Sequence, residues 1–147
     1  MKNLKLKRKG IEMSKEKIIR IEEDTFKAKA EDGLNTFSGY YIITDKQTIK
    51  IGISDTQNCC EQWGYLITND NVNDFIGAEL ISIEKVDTAL NKNKIPDDNW
   101  EEEANTMFIN FNTPAGTLQF VVYNSHNGYY GHDAVLISKQ LNIVTNL

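Results

Sequence analysis

Thr106-Met107-Phe108-Ile109-Asn110-Phe111-Asn112-Thr113-Pro114-Ala115-Gly116-Thr117-Leu118-Gln119-Phe120-Val121-Val122-Tyr123-Asn124 decides the fold. Two β-rich runs, Thr106–Asn112 and Thr117–Asn124, flank Thr113-Pro114-Ala115-Gly116, which has Pro and Gly where a β-turn needs them. Met107, Ile109 and Phe111 fall on one face of the first run, and Leu118, Phe120 and Val122 on one face of the second. That period of two predicts an antiparallel hairpin with one face in a core.

Upstream, Phe37–Thr44 and Thr48–Ser54 repeat the pattern around Asp45-Lys46-Gln47, and Ile49, Ile51 and Ile53 alternate with Lys50 and Gly52. Trp63–Thr68, Ala78–Val86 and His132–Lys139 read as further strands, with a weaker one near Ile18–Glu22. The tail Gln140–Leu147 reads as a peripheral strand or loose chain. Glu31-Asp32-Gly33-Leu34-Asn35 and Asn69-Asp70-Asn71 carry turn chemistry. The run from Asn71 to Gly77 suits one helical turn closed by its glycine. Asn91–Asn99 reads as a loop, and carboxylates at Glu101, Glu102 and Glu103 suit a short helix start. The expectation is a mainly β, or β-rich α+β, fold: an antiparallel sheet or sandwich of six to seven strands with one or two short helices.

The 147 residues suit one domain, with 40% hydrophobic and 25% charged residues excluding a disordered chain. No apolar run approaches the roughly 20 residues that cross a bilayer, and no secretion signal follows the basic start. The expected location is therefore the cytoplasm. The net charge of −5 is unevenly spread: eight basic and two acidic residues through Arg20 give +6, and the rest of the chain carries −11. Residues 1–30 thus read as a basic arm, the one place for direct nucleic-acid contact, and residues 31–147 as a single β-rich domain. Met13 is an alternative start that removes five of the basic residues.

Two clusters stand out chemically, and they read as one site. Ser125-His126-Asn127-Gly128-Tyr129-Tyr130-Gly131-His132 holds both histidines, and Cys59-Cys60-Glu61-Gln62-Trp63-Gly64 holds both cysteines. The candidate binding residues are Cys59, Cys60, Glu61, Trp63, His126, Asn127, Tyr129, Tyr130 and His132. Adjacent cysteines lie about 3.8 Å apart at Cα, too close for an unstrained disulfide, so two thiols are expected.

Cys59, Cys60, His126 and His132 form a conceivable zinc set, although the cysteines lack the usual two to four residues between them. Thiol catalysis would use Cys59 or Cys60 as nucleophile, His126 or His132 as base and Glu61 or Asp133 to orient the ring. A binding role asks less of the residues. Asn127, Tyr129 and Tyr130 offer polar groups and flat apolar faces, and Gly128 and Gly131 let the backbone approach a ligand. The bland alternative is a buried cysteine pair, histidines that satisfy loop hydrogen bonds, and tyrosines that close the end of the core.

The strings Cys59-Cys60-Glu61-x-Trp63-Gly64, Phe75-Ile76-Gly77 and Phe120-x-Val122-Tyr123-Asn124-x-His126-Asn127-Gly128-Tyr129-Tyr130-Gly131-His132 resemble a small uncharacterised domain found mainly in phage and prophage genomes. The resemblance covers about residues 36–139, leaving the basic head outside it. It implies an accessory protein that binds a host or defence component, a counter-defence inhibitor among the options, and it transfers no activity. A protein that sequesters a nucleotide signal or other small ligand is the second reading, and a zinc- or thiol-dependent enzyme the third. No cofactor is required by the first two, and the sequence leaves the oligomeric state open.

Overall fold

A computed structural model describes residues 15–30, 33–55, 61–94, 104–126 and 131–147, with the side chains of residues 61, 62, 93, 104, 125 and 126 left aside. Within these, β1 (Ile18–Ala30), β2 (Gly33–Thr44), β3 (Thr48–Ser54), β8 (Asp133–Ile137) and β9 (Ile143–Asn146) form one antiparallel sheet in the order β1-β2-β3-β8-β9. A second sheet has the order β4-β7-β6-β5, from β4 (Glu61–Ile67), β5 (Ser82–Val86), β6 (Ala104–Thr113) and β7 (Gly116–His126). Of the antiparallel sheet or sandwich expected from the sequence, the mainly β sandwich is the fold observed. Its helical content among the described residues is two short 3-10 turns, Val72–Phe75 and Lys92–Lys94.

The predicted hairpins supply the core. Ile42, Ile49, Ile51, Ile53 and Leu136 from the first sheet meet Met107, Ile109, Phe111, Leu118, Phe120 and Val122 from the second, all essentially inaccessible to solvent. The β6–β7 register pairs Met107 with Val122, Ile109 with Phe120 and Phe111 with Leu118, so both apolar faces coincide. At the turn, Thr113 pairs with Gly116, whose φ of +124° is one that L side chains rarely adopt. The Thr113 hydroxyl donates to the Gly116 carbonyl (2.8 Å) and accepts from the Ala115 N–H (3.1 Å).

Two expectations are corrected. The strand expected over Ile18–Glu22 runs on to Ala30 and pairs with β2 to its end, with one register shift between Ile18 and Arg20, so residues 18–30 are a sheet strand. The reason lies on the outer face of the sheet. Phe26 stacks on Phe37 (centroids 5.6 Å apart, planes at 16°), and with Ala28 and Val135 they form a second buried cluster. Gly52 on β3 leaves the space in which the Phe26 ring lies: a Cβ there would stand 3.0 Å from two atoms of that ring.

The run expected as one strand over Ala78–Val86 is divided. Only Ser82–Val86 pairs with β6, whereas residues 77–80 pair with the start of β1. Ile18 N–H donates to the Ala78 carbonyl (3.0 Å), Gly77 N–H to Ile18 (2.7 Å) and Leu80 N–H to Glu16 (2.7 Å). One residue on, Ile81 N–H donates to Asn112 of β6 (2.8 Å), so this segment stitches one sheet to the other. With β9 drawn from the tail, the described residues form nine strands, where six or seven were expected. The expected turn before the stitch is present, and Gly77 closes it with a φ of +86°. The helix start expected near residues 97–103 lies outside the described residues.

Polar residues close the ends and seams. At the stitched end the buried Glu16 carboxylate accepts from the Thr44 hydroxyl and from Gln140 Nε2 (2.9 Å), which ties the start of β1 to two distant turns. Behind the second sheet, buried Gln119 uses its whole amide. It donates to Thr88 O (3.0 Å) and Asn110 Oδ1 (2.9 Å), and accepts from Thr68 Oγ1 (3.1 Å) and Leu90 N–H (2.9 Å). At the edge of β1, the Thr25 N–H is taken by its neighbour Asp24 (2.7 Å) and the Thr25 carbonyl by the Tyr41 hydroxyl (2.9 Å). Both peptide groups of Thr25 are thereby occupied from within the chain.

Where β2 faces β4, Tyr40 and Tyr65 meet edge to face (5.2 Å, 89°), and the Tyr65 hydroxyl donates to Glu23 (2.7 Å). Burial, and then the hydrogen bond and charge of Glu23, push the Tyr65 phenol up to about 12. Burial and the Glu23 charge raise Tyr40 further. A phenol whose pKa is raised in the folded state favours folding below its unfolded value near 10, and that contribution is lost as the pH climbs toward the folded value. Stability measured by urea unfolding is accordingly expected to fall between pH 10 and 12. Tyr65→Phe, which has no proton to lose there, is expected to show a shallower fall; an equal slope would exclude Tyr65 as a source.

Candidate functional site

The end of the sandwich where β3 runs out, β4 begins, β7 ends and β8 begins carries the described residues of both chemical clusters. In the β4–β7 ladder Glu61 stands opposite His126, Trp63 opposite Asn124 and Gly64 opposite Tyr123. The Trp63 and His132 rings lie 5.4 Å apart at 36°. The structure thus brings together Glu61 and Trp63 of one cluster with His126 and His132 of the other. Cys59, Cys60, Asn127, Tyr129 and Tyr130 lie outside the described residues, as do the side chains of Glu61 and His126.

His132 is only 1% exposed. Its Nδ1 lies 2.8 Å from the Ser54 carbonyl and 3.3 Å from the Ser54 hydroxyl. A carbonyl only accepts, so Nδ1 carries the proton and donates it to Ser54. The backbone of His132 is fixed as well. Its N–H donates to the Leu147 carbonyl (3.0 Å) and its carbonyl accepts from the Leu147 N–H (2.8 Å). Asn124, fully buried on β7, donates from Nδ2 to the same Leu147 oxygen (3.0 Å).

Of the orienting pairs named for thiol catalysis, Asp133 with His132 is not formed. As the next residue along an extended chain Asp133 turns away, and its oxygens accept from Asn146 Nδ2 (2.9 Å) and, at the long distance of 3.4 Å, from Asn35 Nδ2. The Ser54 carbonyl takes the orienting position instead.

Two glycines of the clusters have packing roles that composition alone does not reveal. A Cβ at Gly131 would stand 2.3 Å from Asn146 Oδ1, and one at Gly64 would stand 2.8 Å from the Tyr123 hydroxyl. Each glycine makes room for a side chain from the neighbouring strand. Sequence reasoning missed Ser54, Asn124 and Asn146, whose small polar side chains give no signal until the register is known.

Among the described residues no group of three or more His, Cys, Asp and Glu side chains is arranged to hold a metal ion. No helix there is long and apolar enough to cross a membrane. What the residues define is a two-sheet antiparallel β-sandwich with a polar, aromatic end from which two connections leave, residues 56–60 and 127–130. The chain belongs to the family described as a domain of unknown function, DUF7448, whose model matches residues 6–136. That match begins at residue 6 rather than near 36, so the family takes in most of the basic head as well as β1. No curated protein and no solved structure matches the chain.

Proposed function

We propose that this is a non-enzymatic binding protein of phage or mobile-element origin that engages a host or defence protein in the host cytoplasm, acting as a counter-defence inhibitor. Its recognition surface is the end of the sandwich carrying the 56–60 and 127–130 connections. The observation that supports this reading is the common root of the two connections: Glu61 opposite His126, and Trp63 against His132. Loops on a rigid scaffold are where binding residues concentrate, and a sandwich gathers them at its ends. Asn127, Tyr129 and Tyr130 supply the amide and aromatic groups that dominate protein interfaces, and a body charge of −11 favours a basic partner.

The test is capture from a host-cell lysate, with and without nuclease, using the wild type and an Asn127→Ala/Tyr129→Ala/Tyr130→Ala variant of unchanged melting temperature. A nuclease-resistant partner is expected on the wild type, bound about 30-fold or more weaker by the variant, as aromatic hot spots give. A partner held equally by both, or only through nucleic acid, overturns the proposal.

One observation favours a second reading, in which this end holds zinc. The Nδ1–H of His132 is given to a backbone carbonyl, an outer hydrogen bond that metal-ligating histidines commonly make. His132 would then be one ligand, with Cys59, Cys60 and His126 as the remaining donors. Under the binding proposal, protein purified without chelator carries no stoichiometric zinc, and EDTA leaves its melting temperature unchanged. One zinc per chain, with a melting temperature that falls on chelation, would replace that proposal with the second reading.

A further inference from the structure

We propose that the outer edge of β4 pairs with the same edge of a second copy of this chain, joining two four-stranded sheets into one antiparallel sheet across a two-fold axis at Leu66. Which peptide groups of β4 face that edge follows from the turn between β6 and β7. Thr113 and Gly116 close a two-residue loop, so the even-numbered residues of β7 bond to β6 and the odd-numbered ones to β4. The Thr68 N–H, given to the Gln119 carbonyl (3.1 Å), has the same parity. Gly64 and Leu66 therefore bond to β7, opposite Tyr123 and Val121, while Tyr65 and Ile67 turn their N–H and C=O groups outward. Among the described residues no backbone group takes up those of Tyr65 and Ile67.

The other three sheet edges are blunted in the ways that keep strands from pairing. On β1 both peptide groups of Thr25 are occupied, and Lys27 and Lys29 are exposed beside it. The β5 strand has only five residues and exposes Glu84 and Lys85, and β9 has only four. None of these devices protects β4: residues 62–68 contain no charged residue and no proline, and its register with β7 is unbroken. The strand is also complementary to itself. With the axis at Leu66, Tyr65 of each copy bonds to Ile67 of the other, an aromatic and β-branched pair of the kind that stabilises sheets, and the two Leu66 side chains meet at the closely spaced position between. Leu66 packs half-buried against the Phe108 and Val121 cluster, and Tyr65 and Ile67 half-buried against the main core, so a second copy completes a cover that one sheet makes only in part. A foreign strand could meet the outward peptide groups, but this sequence supplies both halves of each side-chain pair.

The test is sedimentation equilibrium of the full-length chain. The wild type is expected to be a dimer at about 100 μM; Leu66→Lys and Leu66→Glu, each alone, set like charges face to face on the axis and should self-associate about tenfold or more weakly. An equimolar mixture of the two variants, with opposite charges on the axis, is expected to dimerise again. A wild type that stays monomeric, which would leave the edge to a different chain, overturns the proposal, as does a variant that dimerises as tightly as wild type or a mixture no tighter than its components. Hydrogen exchange of the wild type gives a measurement that needs no variant to fold. The Tyr65 and Ile67 amides are expected to gain about tenfold protection between dilute and concentrated protein, and protection independent of concentration overturns the pairing.

Discussion

Phe120→Ala is expected to lower the stability of the protein by about 3–5 kcal/mol, the range for removing a buried phenylalanine ring. Phe120 is fully buried on β7, with Phe111 at 5.0 Å and Tyr40 of the opposing sheet at 5.3 Å. Its loss opens a cavity between the sheets that neither neighbour is free to fill. Phe111 is held by its place in the β6 ladder opposite Leu118, and Tyr40 by its contact with Tyr65. In a chain of this length the cost corresponds to a fall in Tm of about 10 °C or more, read by calorimetry. A loss under 1 kcal/mol would mean that the sheets do not pack at this residue.

Gly39→Ala is expected to cost about 3 kcal/mol for the opposite reason, overpacking. A Cβ at residue 39 would stand 2.0 Å from the Ile51 carbonyl oxygen and 2.7 Å from the Gly52 Cα, both backbone atoms of the neighbouring strand. Backbone cannot rotate aside, so β2 and β3 must separate and give up ladder hydrogen bonds. Gly64→Ala makes the control. The added methyl meets the tip of the Tyr123 side chain, which can swing, and a cost of only about 1 kcal/mol is expected. Urea midpoints of the two variants should therefore differ clearly, and equal midpoints would show that backbone crowding at residue 39 is not what selects glycine.

The two central hairpins were legible because three signals agreed in each: alternation, β-branched and aromatic content, and turn residues in the right place. The distal half of β1 was not legible, since Lys27 and Lys29 are exposed and its apolar residues, Phe26, Ala28 and Ala30, pack on the face away from the main core. A run with three apolar residues among charges reads as an arm until the partner strand is known. The break at residue 81 was hidden for a related reason. Leu80 is buried and Ile81 half-exposed, yet as adjacent apolar residues they read as an unbroken strand.

At the candidate site, unusual composition marked Trp63 and His132 as belonging together, and the ring contact joins them. Composition did not show that a serine carbonyl orients the imidazole, because backbone groups leave no trace in a residue pattern.

The stitch between the sheets bears on how the molecule comes apart. Residues 77–81 bond to β1 of one sheet and, one residue later, to β6 of the other, so neither sheet has an edge there that is its own. Loosening either one breaks the same short segment, and with it the anchorage of Glu16 to the Thr44 and Gln140 turns. The two layers therefore share a single cooperative unit: loss of strand signal and loss of aromatic packing signal should coincide in one melting transition, with no half-folded single sheet between them.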